Sequence, residues 1–435
     1  IDLRAQFAWQ LASTPQGQTG SGNLFPEGGL SNNVGFGFNR ANLNWYVIDP
    51  LFLRQTNNLT PSCYTNGDMS NNFAREIPEQ EIFPNKPSQN GQLTNIPTLD
   101  LAYYPSERGP YNYDTTATGF SAGLDANGNL ADPDSRWGGI MRSISTNDFE
   151  AANIEYIQFW MMDPFNSDNA PANWNNTGDL YFNLGNISED VLSDSYRSSE
   201  NGLPAPSTQS QNNGSNVPTA NTVWGIVPTV QPLVNAFNSD EGDRASQDVG
   251  LDGLDNTTEQ SFFASYLAAA KGIVTNGAEY TKIADDPSAD DFHYFRGGDY
   301  DKASFCSNTV ARYKQFNGME GNSKTTQQSP ESYPTSATTI PNGEDLNRDN
   351  NLSTNESYYQ YHISLKQADL AAGVGSNYIT NVYQTTGQQI KDGTSKPITW
   401  YQFKIPVKVP EQKIGAIENY QSIRFIRMFF KNVDK

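Results

Sequence analysis

Along most of the chain, apolar residues recur with the two-residue period of half-buried strands, in short runs separated by long polar stretches. "ANLNWYVIDPLF" (41–52) and "TLDLAYYP" (98–105) frame the first third. In "IEYIQFWMMDPF" (154–165), Ile154, Tyr156, Gln158 and Trp160 alternate with Glu155, Ile157, Phe159 and Met161. Both faces carry apolar side chains, which is the pattern of a strand buried on both sides. "GDLYFNLGNIS" (178–188) follows a polar loop and is expected to be its hairpin partner. The chain closes with "SYYQYHISL" (357–365), "TWYQFKIPVK" (399–408) and "SIRFIRMFF" (422–430), the last again a both-faces-buried run.

Helical windows are few and short. "SEDVLSDSYRSSENG" (188–202) opens on Ser188 as an N-cap and ends at Gly202. "TEQSFFASYLAAAKG" (258–272) places Phe262, Phe263, Tyr266 and Leu267 on one side, a stripe suited to core packing. "DKASFCSNTVARYKQFNG" (301–318) is the third. The stretches 203–222 and 323–345 read as low-complexity linkers or exposed loops. No repeat of solenoid or propeller period is present.

This pattern predicts a mainly β fold: a jelly-roll-like β-sandwich built from strands within 137–200 and 357–430, with short helices and long polar loops. A Gly/Asp/Pro-rich connection near residue 135 divides a smaller β-rich part, 1–135, from the sandwich part, 136–435. The expectation is that early and late strands pair. An aromatic content of 12% in 435 residues separates the chain from disordered sequences of similar polarity. The net charge of −20 excludes nucleic acid as a partner, since a phosphate backbone needs clustered Lys and Arg, and it favours divalent cations. No apolar run is long enough for a membrane-spanning helix. The chain starts at Ile1 without a Met or a signal-like region, as a processed form or an excised piece would. Cys63 and Cys306 form either one bridge between distant segments, in an oxidising compartment, or two buried thiols.

Enzyme signatures are absent from the sequence. His293 and His362 are the only histidines, neither lies in HExxH, and no GxSxG elbow or Walker loop is present. Paired carboxylates for glycoside hydrolysis have only spatial signatures, so that class ranks low but stays open.

Calcium chemistry has more support, because the ion takes six to eight hard oxygens that a loop presents at alternate positions. In "DLNRDNNLSTNE" (345–356), Asp345, Asn347 and Asp349 hold the first, third and fifth places. Asn351 offers its carbonyl at the seventh, and Glu356 stands twelfth. Asn350 occupies the place where a Gly normally turns the chain. In "DVGLDGLDNTTE" (248–259), Asp248, Asp252 and Glu259 hold the first, fifth and twelfth places and Asp255 adds a carboxylate. The competing reading at both loops is a solvated turn, and "DANGN" (125–129) is expected to be only that. At 345–356 the expectation is an ordered acidic loop holding calcium in a structural role.

Taken in order, several long runs form one series: "EIFPN", "LDLAYYPSERGPYNYD", "WGGIMRSISTNDFEAANIEYIQFWMMDPF", "GDLYFNLGNISEDVL", "SQDVGLDGL", "GEDLNRDNNLSTNESYYQYHI", "WYQFKIPV" and "QSIRFIRMFF". This series resembles the SprA family of Bacteroidota, also called Sov. The resemblance implies the outer-membrane translocon of the type IX secretion system. Such translocons are very large β-barrels that export folded proteins to the cell surface and support gliding motility. Partners would be the rest of the barrel, other type IX outer-membrane components and secreted cargo. The family offers no catalytic residues, so the resemblance implies a non-enzyme. At this length the chain looks like one segment, an insert or cap of the barrel at the extracellular face or within the pore. It lacks the succession of lipid-facing strands a barrel wall needs. From the residues themselves, the aromatic strands around Trp160 and Trp400 and the two acidic loops are the structural candidates. The alternative from another class is a calcium-stabilised carbohydrate-binding β-sandwich on the cell surface.

Overall fold

The computed structural model describes residues 1–434 except 55–59, 88–93, 167–176, 201–217, 231–249, 294, 297, 302–307, 317–341, 386–387, 390 and 392. It is mainly β, with few and short helices. The strands that position the sites are β1 (Gln10–Leu11), β2 (Ala41–Tyr46), β3 (Asp100–Arg108), β4 (Trp137–Ser143), β5 (Tyr156–Met162) and β6 (Asp179–Asn186). After the helices α1 (Asn256–Phe262), α2 (Ala264–Ile273) and α3 (Gly277–Asp285) come β7 (Ser357–Ser364), β8 (Ile379–Gln384), β9 (Thr399–Pro406), β10 (Gln412–Ile414) and β11 (Phe425–Lys431).

Six strands form an antiparallel sheet in the order β1-β4-β11-β6-β7-β10, so the last strand of the chain lies at its centre. Its two faces are both covered. Ile140, Phe182, Leu184, Tyr361, Ile426 and Met428 point into one core, which they share with Phe403 and Ile405 of a three-stranded sheet, β8-β9-β5. Phe159 bridges the layers, stacking on Phe403 at 5.1 Å and meeting Phe182 at 5.7 Å. Trp137, Met141, Tyr181, Phe425 and Phe429 face a second core, closed by Phe25, Phe36, Val191, Trp224 and Phe263. The alternation expected for "SIRFIRMFF" is therefore realised, with different residues of one strand serving two cores.

Two expectations are corrected here. Strand β6 is not the hairpin partner of β5: β5 pairs with β9, from Tyr156↔Pro406 to Met162↔Trp400, whereas β6 lies between β11 and β7. The second face of β5 is only partly covered: Trp160 and Met162 pack on a small cluster of Ile77, Ile82, Ile398 and Trp400. Ile157, Phe159 and Met161 pack on the core, while Tyr156 on the other face is 42% exposed. β5 is an edge strand of the three-stranded sheet, and β6, buried along most of its length, lies inside the six-stranded one.

The segment 188–202 is not a helix either, and where it is described it runs in bends with Ser193 and Ser195 at positive φ. Side-chain carboxylates take the amide protons that a helix would have used internally. Glu344 accepts from Val191, Leu192 and Ser198 N–H, and Asp190 accepts from Asp194 and Ser195 N–H. The helix expected at 258–272 does form, as α1 and α2 with a break at Phe263. Of the helix expected at 301–318, one turn at Thr309–Arg312 is described. Strands β2 and β3 pair with each other, and Leu43 and Trp45 of β2 enter the core shared by the two larger sheets. Cys63 is disulfide-bonded, and the second cysteine of the sequence, Cys306, lies outside the described residues.

Candidate metal centre

In the loop 345–356 the chain curls as the alternation of oxygens requires, but its oxygens point at protein donors. Asp345 accepts from the N–H groups of Asp349 and Asn350, each at 3.0 Å, and its carboxylate faces Arg197 at 3.2 Å. Asn347 Oδ1 accepts from Asp349 N–H, and Asp349 accepts from Asn351 N–H and from Arg424 Nη2 at 2.9 Å. Asn350 takes a left-handed φ of 65°, the turn that Gly would have supplied. Asn351 donates its side-chain amide back to the Asp349 carbonyl.

Glu356 leaves this loop altogether. It enters the core at the start of β7 and forms a two-pronged ion pair with Arg427, at 2.8 and 3.0 Å, both side chains buried. Arg427 sits mid-face on β11 between Phe425 and Phe429, and it also donates to Asn183 Oδ1 at 2.9 Å. Asp345 and Asn347 thus converge on the N–H of Asp349, whereas Glu356 is held on Arg427. Three arginines and a set of N–H groups satisfy this loop, and the geometry gives no support to a wrapped cation there.

The second loop behaves differently. Two of its carboxylates, Asp252 and Glu259, converge with Asp290, and ligand oxygens of all three lie within 4.8 Å of one another. Their relative exposures are 0%, 1% and 2%, so no bulk water screens them. Local structure accounts for each placement. Asp252 turns the chain by accepting Leu254 N–H through Oδ1, while its carbonyl accepts Ile226 N–H. Asp255 is spent as the N-cap of α1, accepting Thr258 N–H at 2.8 Å, and it is exposed rather than in the cluster. One turn into α1, Glu259 is carried inward.

Asp290 arrives from the loop after α3. Ala289 is held at a φ of 55°, and Asp286 accepts Asp290 N–H. Gly250, at a φ of 65°, is indispensable here. A Cβ on it would stand 1.8 Å from Asp290 Oδ2.

Ser288 ties the group together. Its hydroxyl donates to Asp252 Oδ2 at 2.7 Å and lies 2.8 Å from the Tyr113 hydroxyl, while its N–H donates to Glu259 Oε2 at 3.0 Å. The other oxygen, Glu259 Oε1, is buried with no hydrogen-bond partner among the described residues. Nor does any ion pair among the described residues involve Asp252 or Glu259. Burial pushes all three carboxyls upward, and mutual repulsion with the nearby Asp286 adds to it. The donors are oxygens alone, which suits hard cations such as calcium rather than zinc.

Of the second candidate loop, then, the structure unites Asp252 and Glu259, sends Asp255 to a helix cap, and leaves Asp248 outside the described residues. Asp290 was missed by spacing because it comes from thirty-odd residues downstream. Its signal was present in "ADDPSADDFH", where Asp285, Asp286, Asp290 and Asp291 crowd a short Pro- and Ser-containing loop. "DANGN" is a turn as expected, closed by Asp125 accepting from Asn127 and Asn129 N–H. His362 is tied to Glu411 and stacks on Tyr181 at 5.2 Å, and His293 lies against Tyr300 at 4.4 Å. Trp400 is buried and donates to Glu81 at 2.9 Å, while Trp160 meets Phe83 edge-on.

With this geometry in place, the class that the fold defines is a mainly β protein. Residues 265–435 match the model of the SprA_N family, described as motility related/secretion protein. The match spans α3 and every strand from β7 to β11. No curated protein matches the chain. Among the described residues, no helix is long and apolar enough to cross a membrane.

Proposed function

We propose that the chain is a noncatalytic segment of the type IX secretion translocon of the outer membrane. It supports the export of folded proteins and gliding motility as a folded insert that caps or lines the barrel pore. The observation that carries this reading is the match of residues 265–435 to a family of motility- and secretion-related proteins. Packing supports the rest. The matched strands β7 and β11 alternate with the unmatched β4 and β6 in one sheet, so both halves contribute to a single folding unit. Both faces of that sheet are buried by the chain's own residues, not left for lipid, which suits an insert better than a barrel wall. Partners are the remaining barrel, other type IX components and cargo. The carbohydrate-binding reading gains nothing from Trp400, whose ring is buried against Glu81.

The test is in-frame removal of the segment from the full-length gene, followed by assays of cargo at the cell surface and of gliding. Loss of both, with the barrel still inserted and wild-type segment co-purifying with type IX components, is the expected result. Normal export without the segment, or a gene encoding little beyond it, overturns the reading.

A further inference from the structure

We propose that the free edge of β5 is a docking site for an extended segment of another polypeptide, which adds to the sheet β8-β9-β5 as a fourth strand. The ladder fixes which groups face outward. Glu155 C=O accepts Val407 N–H, and Asp163 N–H donates to Thr399 C=O, so the odd-numbered residues of β5 bond to β9. The N–H and C=O groups of Tyr156, Gln158, Trp160 and Met162 therefore point away from the sheet, and among the described residues no strand pairs with them.

Other edges are guarded. β1 and β10, the outer strands of the six-stranded sheet, are two and three residues long. β8, the opposite edge of the same small sheet, carries a bulge between Ile379 and Asn381. β3 carries Asp100, Pro105, Glu107 and Arg108. Shortness, bulges, Pro and charge are the devices that keep an edge from pairing with another chain. β5 has none of them: its seven residues, YIQFWMM, include no charge and no Pro, and its register with β9 is unbroken. The core beneath this edge is also incomplete. Ile157, Phe159 and Met161 face the core yet stay partly exposed, whereas Ile405, Phe403 and Tyr401 opposite them on β9 are 0%, 0% and 8% exposed.

These gaps and the local charge define the occupant. Apolar residues at alternate positions of an added strand complete the burial of Ile157, Phe159 and Met161. Exposed Glu155 and half-buried Asp163 stand at the two ends of the uncharged run, on a chain of net charge −20, so the occupant carries Lys or Arg at its flanks. A second copy fits poorly. An antiparallel self-pair centred on Phe159 sets Glu155 opposite Asp163 at both ends, and like charges directly opposite destabilise a ladder.

The probe is a fluorescent peptide, Lys-Thr-Val-Thr-Val-Thr-Val-Thr-Lys, titrated onto the 435-residue chain. Its Val residues fall opposite Ile157, Phe159 and Met161, and its Lys residues opposite Glu155 and Asp163. Saturable binding is expected, with amide exchange slowed at Tyr156, Gln158, Trp160 and Met162 and unchanged at Ile157, Phe159 and Met161, which β9 already protects. Gln158→Pro removes one outward N–H and none of the bonds to β9. That variant, or a peptide methylated at its Thr amides, is expected to weaken binding at least about tenfold. Glu in place of both Lys is expected to weaken it at low salt, with the difference fading as salt is raised. The proposal is overturned if the peptide does not bind at millimolar concentration, if its methylated form binds as well, or if the four outward amides are already protected in the free chain. It is equally overturned if the chain dimerises and Gln158→Pro restores the monomer, since the occupant is then a second copy. None of these results depends on the secretion reading.

Discussion

Arg197, Arg424 and Arg427 stand against the carboxylates of the 345–356 stretch, so each acidic group there has either a guanidinium or a backbone N–H in contact. At the cluster of Asp252, Glu259 and Asp290 the density of negative charge is as high and the burial deeper, yet the described partners of Asp252 and Glu259 are Ser288 and amide protons. Both stretches have carboxylates at calcium-loop spacing. Spacing says which oxygens a turn can bring together, but the cations folded in from elsewhere decide whether any oxygen is left over. Arg427 is contributed by a strand 71 residues beyond Glu356, and no local pattern announces that it will arrive.

The difference can be broken from the paired side first. Arg427→Met leaves Glu356 buried without its cation, and should cost about 3–5 kcal/mol, the usual penalty for orphaning one member of a buried pair. Chemical unfolding measures it as a lowered midpoint. Adding Glu356→Gln to the same chain should recover part of the loss, because a neutral amide removes the stranded charge. If Arg427→Met is neutral on its own, the pair is not what neutralises this region.

A smaller effect is expected from Gly250→Ala. The added Cβ collides with Asp290 Oδ2 at a backbone angle that L-residues avoid, for a cost of about 1–3 kcal/mol. Its diagnostic value lies in its independence: the cost should add to that of Arg427→Met in the double variant. Thermal melts of the two single variants and the double variant check it.

The smallest effect concerns a pair that is neither buried nor fully exposed. His362 and Glu411 have side-chain exposures of 39% and 30%. The hydrogen bond to Glu411 raises the His362 pKa above 6.5, with burial opposing. A raised folded-state pKa means that the folded state holds the proton more tightly. The contribution is therefore complete below the unfolded value and is lost as pH rises through the folded one. Stability measured from pH 5 to 8 should decline slightly in this window, and His362→Gln should flatten that part of the profile. An unchanged profile would show that solvent already screens the pair.

Much of the architecture was legible in the residues. Alternation marked β5, β7, β9 and β11 as strands because side chains on a pleated backbone must sort into two faces, and Phe425/Phe429 against Ile426/Met428 sorted into two cores. The stripe of Phe262, Phe263, Tyr266 and Leu267 announced α1 and α2, but Asp255, read as part of an acidic loop, is the N-cap of α1. The acidic spacing found two of the three converging carboxylates. What local pattern left open was partnership. The alternation in β5 and β6 does not tell an edge strand from a central one, since that depends on whether strands pair along both of its sides. The run 188–202 reads as helix until Glu344 and Asp190 claim its amide protons. The loop 345–356 reads as a calcium loop until arginines from distant segments pair with its carboxylates, and the cluster stays invisible until Asp290 is folded against Gly250. Backbone preference and face burial are short-range and written in neighbouring residues. Charge compensation acts through space, so only the tertiary structure decides which carboxylates meet a guanidinium and which meet one another.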